Sequence, residues 1–380
     1  MNRLPVRALL AVAVAGLLAV FATACGSSDD EAPAGATAIG IKLTDAGCDP
    51  HDAKAPAGPI NFELENDGSS SVTEMEVLDG ETILGEKENL TDGLSGSFSL
   101  TLEEGEYTLR CNNGEQEDGT LTVSGKLKTQ GSPEVETVIA RYRDYLEENT
   151  AELSAETKPF VAAVIAGDVA RAKALYGPAR IPYERIEPVA ESFGDLDPRI
   201  DARENDVAAS EFGGFHRIEK TLWEEGSAKG MAPVAEQLLA DVGELEAKVK
   251  TVKLQAVQIA NGANELLNEV SAAKITGEEE RYSHIDLVDF AANVEGSEAA
   301  YDAIEPLLSP KDPGLPKEIA AGFAEVERAL APYRRGDTFV LYTQLTQADT
   351  RKLAVAIDGL AEHLAETPAQ VAGREVEKDD

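Results

Sequence analysis

His216 and Glu219 stand three positions apart in the segment 213–223, a spacing that suits metal chemistry. Residues three apart on a helix share a face, so an imidazole nitrogen and a carboxylate oxygen can point into the same space. Helical bundles build metal sites from such pairs and complete them with carboxylates from facing helices. The pair therefore predicts a metal site. The alternative is a core histidine beside a surface Glu219 that pairs with Arg217 or Lys220.

Two carboxylate-rich segments, 183–203 and 276–290, flank this pair along the chain. Each holds more carboxylates than a solvated helix face requires, and each also carries apolar residues that would bury one side. Buried carboxylates around one site raise each other's pKa unless a cation neutralises them. We therefore expect helices from these segments to converge on the helix that carries His216.

The chain as a whole is strongly acidic. Its 380 residues include 34 Lys plus Arg against 70 Asp plus Glu, which gives a formal net charge of −36. Such a surface repels nucleic acid and anionic lipid headgroups, so neither is expected as a partner. It attracts cations, although most of these carboxylates belong to solvated helix faces.

The first 25 residues have the pattern of a secretory signal. Arg3 and Arg7 precede a short apolar run, and small residues precede Cys25. This end resembles a bacterial lipobox, which implies lipidation of Cys25 and an extracytoplasmic protein anchored to the cell membrane by lipid alone. The alternative is a soluble secreted protein in which Cys25 is incidental. Residues 26–38 are acidic, small and proline-containing, and they predict a flexible tether.

Residues 39–125 contain short segments that alternate apolar and polar residues between turn residues, which predicts a small antiparallel β-sandwich. The segment 105–111, followed by 119–123, resembles the last hairpin of a cupredoxin. In that family a histidine and a methionine follow the copper-binding cysteine, and the loop 112–118 contains neither. A blue-copper centre is therefore not expected.

Cys48 and Cys111 are the two cysteines of this predicted sandwich. In an oxidising compartment a disulfide between them is the default expectation. The alternative keeps both as thiolates, which with Glu74 or Glu76 would bind a soft or borderline metal.

Residues 133–373 show helical periodicity and predict an all-α bundle. We place helices at about 133–166, 168–176, 181–193, 198–205, 210–224, 229–274, 277–305, 316–332 and 338–365. Breaks are expected at Gly177-Pro178, Asp197-Pro198 and Pro313-Gly314.

The three segments 183–203, 213–223 and 276–290, taken in order, resemble the imelysin (M75) family. A degenerate cupredoxin followed by an imelysin domain resembles the lipoproteins of bacterial iron-uptake systems. The resemblance implies capture of ferric or ferrous iron, with zinc, copper, calcium or manganese able to compete. It also implies two partners, a membrane iron permease and a haem-type peroxidase of the same system.

The family pattern implies a ligand set on this chain. Its five members are His216, Glu219, Glu187, Asp201 and Glu279, the last chosen from the run Glu278–Glu280. Each carboxylate has a structural alternative. Glu187 could be a first-turn helix charge, Asp201 could pair with a nearby arginine, and the glutamate run could be a solvated helix start.

Two other functions compete with metal-ion transport. The M75 label suggests a metallopeptidase, but a zincin needs two histidines around a glutamate and the sequence has no His-Glu-x-x-His. We therefore do not expect an enzyme. Polysaccharide binding at the cell surface is the other alternative, and the aromatic content of 5% offers few stacking platforms for sugars.

Overall fold

The computed structural model describes residues 36–80, 82–126, 132–308 and 313–375. It confirms the predicted order of a β-rich N-terminal part and a helical C-terminal part. The predicted signal segment, Cys25 and most of the tether lie outside the described residues. None of the helices in the described part combines the length and the apolar character needed to cross a membrane.

The N-terminal domain is a sandwich of two sheets. One sheet has the strand order β2-β1-β4-β7 and the other the order β3-β9-β8-β5-β6. The strands are β1 (Thr37–Thr44), β2 (Gly47–Asp49), β3 (Ala53–Pro56), β4 (Gly58–Asn66), β5 (Met75–Asp79), β6 (Thr82–Lys87), β7 (Ser95–Leu102), β8 (Gly105–Arg110) and β9 (Asp118–Ser124). The expectation of a purely antiparallel sandwich was wrong, because β1 pairs with β4 and β3 with β9 in parallel. Alternation along the strands buries one face of each sheet in a shared core.

Cys48 on β2 and Cys111 after β8 form a disulfide, with an S–S distance of 1.98 Å. The thiolate alternative is therefore wrong for this structure, because neither sulfur is free to bind a metal. Glu74 and Glu76 each accept a hydrogen bond from Asn112 Nδ2.

The C-terminal domain is helical and has one large apolar core. Its helices are α1 (Pro133–Ala166), α2 (Val169–Ile186), α3 (Leu196–Asp201), α4 (Gly214–Glu224), α5 (Ala232–Val249), α6 (Ala256–Ala272), α7 (Asp286–Ile304), α8 (Leu315–Leu330), α9 (Gln347–Leu364) and α10 (Thr367–Glu375). A 3-10 segment, Glu187–Phe193, links α2 to α3, and a short hairpin of β10 (Arg334–Arg335) and β11 (Thr338–Phe339) precedes α9. Ser132 caps α1, since its side chain accepts the N–H of Val135 at 3.2 Å.

Several predicted helix boundaries were wrong. α2 runs through Gly177-Pro178, because its packing between α1 and α7 outweighs the hydrogen bonds that an interior proline removes. The predicted helix 229–274 is two helices, and the second begins where Gln255 and Gln258 form a capping box. The segment 277–285 is a loop before α7, and the segment 338–346 before α9 contains β11 and a single 3-10 turn, Tyr342–Gln344, instead of α-helix.

The two domains meet where β6 and β7 face α6. Lys87 Nζ lies 2.9 Å from Glu265 Oε2, and Asn261 Nδ2 donates to the carbonyl of Ser99 at 2.8 Å. Gln258 Nε2 donates to the carbonyl of Leu84 at 3.1 Å. Beside this contact lies a cleft of about 260 Å³ that β6, the segment 187–207 and α6 line together.

Candidate metal centre

His216 lies in α4 and is 2% exposed, with its Nε2 atom facing two carboxylates. Nε2 is 3.4 Å from Glu279 Oε1 and 3.6 Å from Asp201 Oδ1. Among the described residues, these three side chains form a group whose potential ligand atoms all lie within 4.8 Å of one another. Nε2 has no hydrogen-bond partner in the part of the chain that the structure describes. An unpaired buried nitrogen beside two carboxylates is the arrangement that a cation would complete.

Glu219 is fully buried and contacts the other imidazole nitrogen. Its Oε2 lies 3.3 Å from His216 Nδ1, and its Oε1 accepts the backbone N–H groups of Tyr282 at 2.9 Å and Ser283 at 2.7 Å. With the proton on Nδ1, a tautomer assigned from these contacts, Nε2 is left as the ligand atom. The structure thus places Glu219 behind the histidine, where it orients the ring and fixes the neighbouring loop.

A close backbone approach brings α3 and α4 together. Gly214, at the start of α4, has φ +64°, and a Cβ atom there would lie 2.1 Å from the carbonyl oxygen of Ile200. Only glycine fits such a contact and such a dihedral angle. Because Asp201 ends α3 and His216 lies in the first turn of α4, this contact sets their side chains next to each other.

Glu279 reaches the site from the 277–285 loop, which has several anchors. Gly277 has φ +82° and packs so closely on the ring of Tyr342 that a Cβ atom would lie 2.5 Å from the ring. The backbone N–H of Tyr342 donates to the carbonyl of His284 at 2.8 Å, and its hydroxyl donates to the carbonyl of Ile275. His284 therefore contributes its backbone carbonyl to this anchor.

The structure separates the three glutamates of the predicted run. Glu278 is exposed, Glu279 joins the His216 group, and Glu280 is fully buried against Arg180 Nε at 2.8 Å. Of the run, Glu279 is thus the member beside the histidine, and its role as a ligand stays a prediction.

Glu187 is not brought into the group around His216 Nε2. It pairs with the buried Lys274, and its Oε2 accepts a hydrogen bond from Asn293 Nδ2. Lys274 Nζ also lies 3.8 Å from Glu279 Oε2. Glu187 therefore borders the same cleft as Glu279 but faces a lysine instead of the histidine.

Arg180 is the main charged residue that the sequence reasoning missed. It is fully buried, and its guanidinium contacts carboxylates that also face His216. A second arginine, Arg203, donates from Nη1 to Glu279 Oε2 at 3.0 Å. Arg180 and Glu184 stand four apart on α2, a spacing that could have indicated an ion pair but not its burial.

The charges of the site split its carboxyls into two groups. Burial opposes ionisation everywhere, but Lys274, His216 and Arg203 hold the pKa of Glu279 well below its usual range. Arg180 and His216 likewise lower the pKa of Asp201 despite its burial. By contrast, burial raises the pKa of Glu280 and of Asp289 well above the usual range. The two carboxyls beside the histidine are therefore the ones kept as anions.

His216 responds to the same neighbours. Burial and the nearby Arg180 lower the pKa of its imidazole, whereas Asp201 and Glu219 raise it. The contacts that raise it prevail, so the pKa lies well above its usual value. The raised pKa keeps the imidazole protonated to higher pH than usual, and a metal ion would have to displace that proton.

The cleft beside the domain contact gives solvent a route to this group. Its lining includes Asp201 and Glu279, whose carboxylates contact His216 on the buried side. Further acidic residues line it, namely Glu86, Glu88, Glu187, Asp197, Asp206, Glu265 and Glu269. Such a wall concentrates cations near the two candidate ligands.

Comparison with known proteins places both domains. Residues 138–367 match the family model of imelysin, Peptidase M75, and residues 14–123 match that of the cupredoxin-like domain. The chain is 40% identical over 337 residues to the iron uptake system component EfeO of Escherichia coli K12. The alignment covers 86% of this chain and 90% of that protein. EfeO of Shigella flexneri matches to the same extent.

A solved structure shares the fold of the helical domain. It is a crystal structure from Parabacteroides distasonis assigned as an iron-regulated protein A precursor, with a TM-score of 0.51, 17% identity and coverage of 65% of this chain and 97% of that one. At that identity the likeness concerns the fold alone. Because the imelysin match spans more than half of the chain and the EfeO proteins align over most of it, this chain belongs to the imelysin (M75) family, among the members that carry a cupredoxin-like domain in front.

Proposed function

We propose that this chain is the extracytoplasmic iron-binding component of an iron-uptake system and that Asp201, His216 and Glu279 hold the ion. The observation that carries the proposal is His216 Nε2, a buried nitrogen within 3.6 Å of two carboxylate oxygens that has no hydrogen-bond partner among the described residues. One imidazole with carboxylate oxygens is a donor set that suits iron in either common oxidation state. The EfeO relatives, which are named as iron-uptake components, support the choice of metal.

Glu219 and Glu187 take supporting parts in this proposal. Glu219 orients the imidazole and holds the 277–285 loop through two backbone N–H groups. Glu187 keeps Lys274 in place beside Glu279. Substitution of either glutamate would weaken binding of the ion even though neither contacts it in this proposal.

Basic side chains already neutralise part of the negative charge of the site, which suits a protein that must release its ion. Arg180, Arg203 and Lys274 each contact a carboxylate of the group, so an incoming ion meets less uncompensated negative charge. Its affinity is correspondingly moderated, and the cleft leaves a path for release. Both features support transfer of the ion to a membrane permease, with a haem-type peroxidase acting in the same system.

We place the protein outside the cytoplasm on a lipid anchor at Cys25. The signal pattern of residues 1–25 supports this position. Labelling with a radioactive fatty acid tests the anchor: Cys25→Ala should abolish the label, and an unlabelled native protein would contradict it.

Peptide hydrolysis has less support than ion binding despite the family label. The sequence has no His-Glu-x-x-His, and the group described above contains a single histidine. A metal-loaded sample is expected to leave casein uncut. Turnover that Glu219→Gln abolishes would overturn the choice of a binding protein.

Calorimetric titration of the full chain with ferric, ferrous and zinc ions tests the proposed site. The double variant His216→Ala/Glu219→Ala should lose tight binding of all three ions. His363→Ala removes an imidazole that is far from this group on α9 and serves as the matched control. Tight binding retained by the double variant would move the site elsewhere in the chain.

A further inference from the structure

Arg180 projects from α2 into a ring of carboxylates. Its side chain is fully buried, and the face of its guanidinium lies 5.6 Å from the ring centre of Phe215. Five carboxylates lie within 4.0 Å of its nitrogens, contributed by α2, α3, the 277–285 loop and α7: Glu184, Asp201, Glu279, Glu280 and Asp289. One guanidinium is thus the shared partner of five carboxyl groups from four elements.

Two of these carboxylates also face the histidine. Asp201 Oδ1 contacts Arg180 Nη1 and lies 3.6 Å from His216 Nε2. Glu279 Oε1 lies 3.6 Å from Arg180 Nη2 and 3.4 Å from His216 Nε2. The same oxygen atoms therefore lie between the guanidinium and the proposed ion. Helical bundles with two metal ions share carboxylates in this way, using glutamates and Glu/His pairs from facing helices.

We infer that Arg180 takes the place of the second cation in a two-cation carboxylate centre and so limits this site to one metal ion. The inference rests on the proposed function, because it assigns a companion to the ion beside His216. A guanidinium keeps its charge at every accessible pH, and its planar fork donates to several carboxylates at once. As part of the chain it cannot leave the site.

Removal of that charge would create a binding site. Glu184, Glu280 and Asp289 would then face Asp201 and Glu279 across the space that the guanidinium had filled, while Lys274 and Arg203 would still contact Glu184 and Glu279 from other directions. The buried anions Asp201 and Glu279 would each lose a cationic partner, which is strongly unfavourable and favours binding of a divalent ion in its place. The donors in that space are all carboxylate oxygens, which manganese and iron accept.

The test is Mn(II) binding to the full chain at high ionic strength, where weak surface sites are screened. The native protein should bind one Mn(II) tightly and show the spectrum of an isolated ion in electron paramagnetic resonance. Arg180→Ala should bind two, with the exchange-coupled spectrum of a close pair. Arg185→Ala, which removes a charge from the same helix but only from half-exposed pairs with Glu152 and Glu295, should still bind one.

The charge-matched variant Arg180→Ala/Asp289→Asn repeats the test should the single variant not fold, and it should also bind a coupled pair. One Mn(II) in the folded Arg180 variants would overturn the inference and leave the proposed function intact. A coupled pair in the native protein would overturn it as well. A native protein without any tight ion would instead contradict the proposed function itself.

Discussion

The imidazole of His216 has two different neighbours, Glu219 at Nδ1 and the carboxylates of Asp201 and Glu279 at Nε2. This division gives the two members of the His-x-x-Glu pair different tasks. In the proposed site, the histidine supplies a ligand atom, while the glutamate holds the ring and the loop that carries Glu279. Both tasks depend on contact between the two side chains, and the spacing of three residues allows it because it puts them on one helix face.

Glu219→Gln tests this division of labour. The amide can still contact the ring, but it no longer balances an imidazole charge or accepts two backbone N–H groups as an anion. We expect the iron affinity to fall about 10–100-fold, the usual range for residues that hydrogen-bond to a metal ligand, with the number of bound ions unchanged. Calorimetry measures both quantities. Glu224→Gln, an exposed glutamate on the same helix, is the control, and complete loss of the ion in Glu219→Gln would make Glu219 a direct ligand.

Acid should weaken metal binding through His216. The pKa of its imidazole in the ion-free protein is raised above the usual 6.5, so the ring is protonated at and below that pH. The ion must displace this proton, whereas lowered pKa values keep Asp201 and Glu279 ionised already. The affinity for Mn(II) should therefore fall about tenfold per unit as the pH drops from about 7 to about 5. A flat profile over that range would show that the ring is neutral or is not a ligand.

At the scale of elements, the site depends on a loop as much as on helices. α3 and α4 are joined by the close contact at Gly214, and the 277–285 loop is held by Glu219 on one side and Tyr342 on the other. Glu279 has no helix to fix it, so its position relies on these anchors.

Tyr342→Phe removes the hydrogen bond to the carbonyl of Ile275 and leaves the ring packed on Gly277. We expect the free energy of unfolding to fall by about 0.5–1.5 kcal/mol, the usual value of one such bond. Hydrogen exchange of the amides in 277–285 should accelerate. Tyr107→Phe, which loses a comparable bond to the carbonyl of Glu103 in the other domain, should leave that exchange unchanged. Equal exchange in both variants would mean that Tyr342 does not anchor the loop.

The sequence was most informative where local pattern decides the structure. Alternation in 39–125 and helical periodicity from 133 onward predicted both domains, and the first helix was predicted at 133–166, where the structure has α1. The reading of 177–178 as a break was wrong because burial of α2 is a tertiary effect that residue preferences do not contain. The split of 229–274 at Gln255 had a visible signal in the capping pair Gln255 and Gln258.

For the site, the family pattern in the sequence predicted His216, Asp201 and Glu279 among the ligands, and in the structure these three side chains lie close together. It could not show that Lys274 would draw Glu187 away from the histidine. Nor could it show that Arg180 lies at the centre of the carboxylates. Both are buried cations, and most of their partners come from other segments of the chain, which the residues near them in the sequence do not reveal.

At the scale of the molecule, the two domains are tied along β6, β7 and α6, and the cleft to the site lies beside that contact. The N-terminal domain holds its own disulfide, which closes a separation of 63 residues. This domain contributes one wall of the cleft and, in the proposed site, no metal ligand.

Cys48→Ser/Cys111→Ser tests that assignment. Loss of the disulfide should destabilise the N-terminal domain by about 2–5 kcal/mol, measured by denaturant unfolding. The number of iron ions bound with high affinity should stay the same, because the sulfur atoms are joined to each other. Loss of a bound iron ion in this variant would indicate that the cysteines take part in metal binding.

Anomalous scattering from crystals of the iron-loaded chain tests the central claim most directly. We expect a strong iron peak in contact with His216 Nε2, Asp201 and Glu279, with Arg180 still beside the two carboxylates. An iron peak elsewhere, with His216 Nε2 unoccupied, would contradict it.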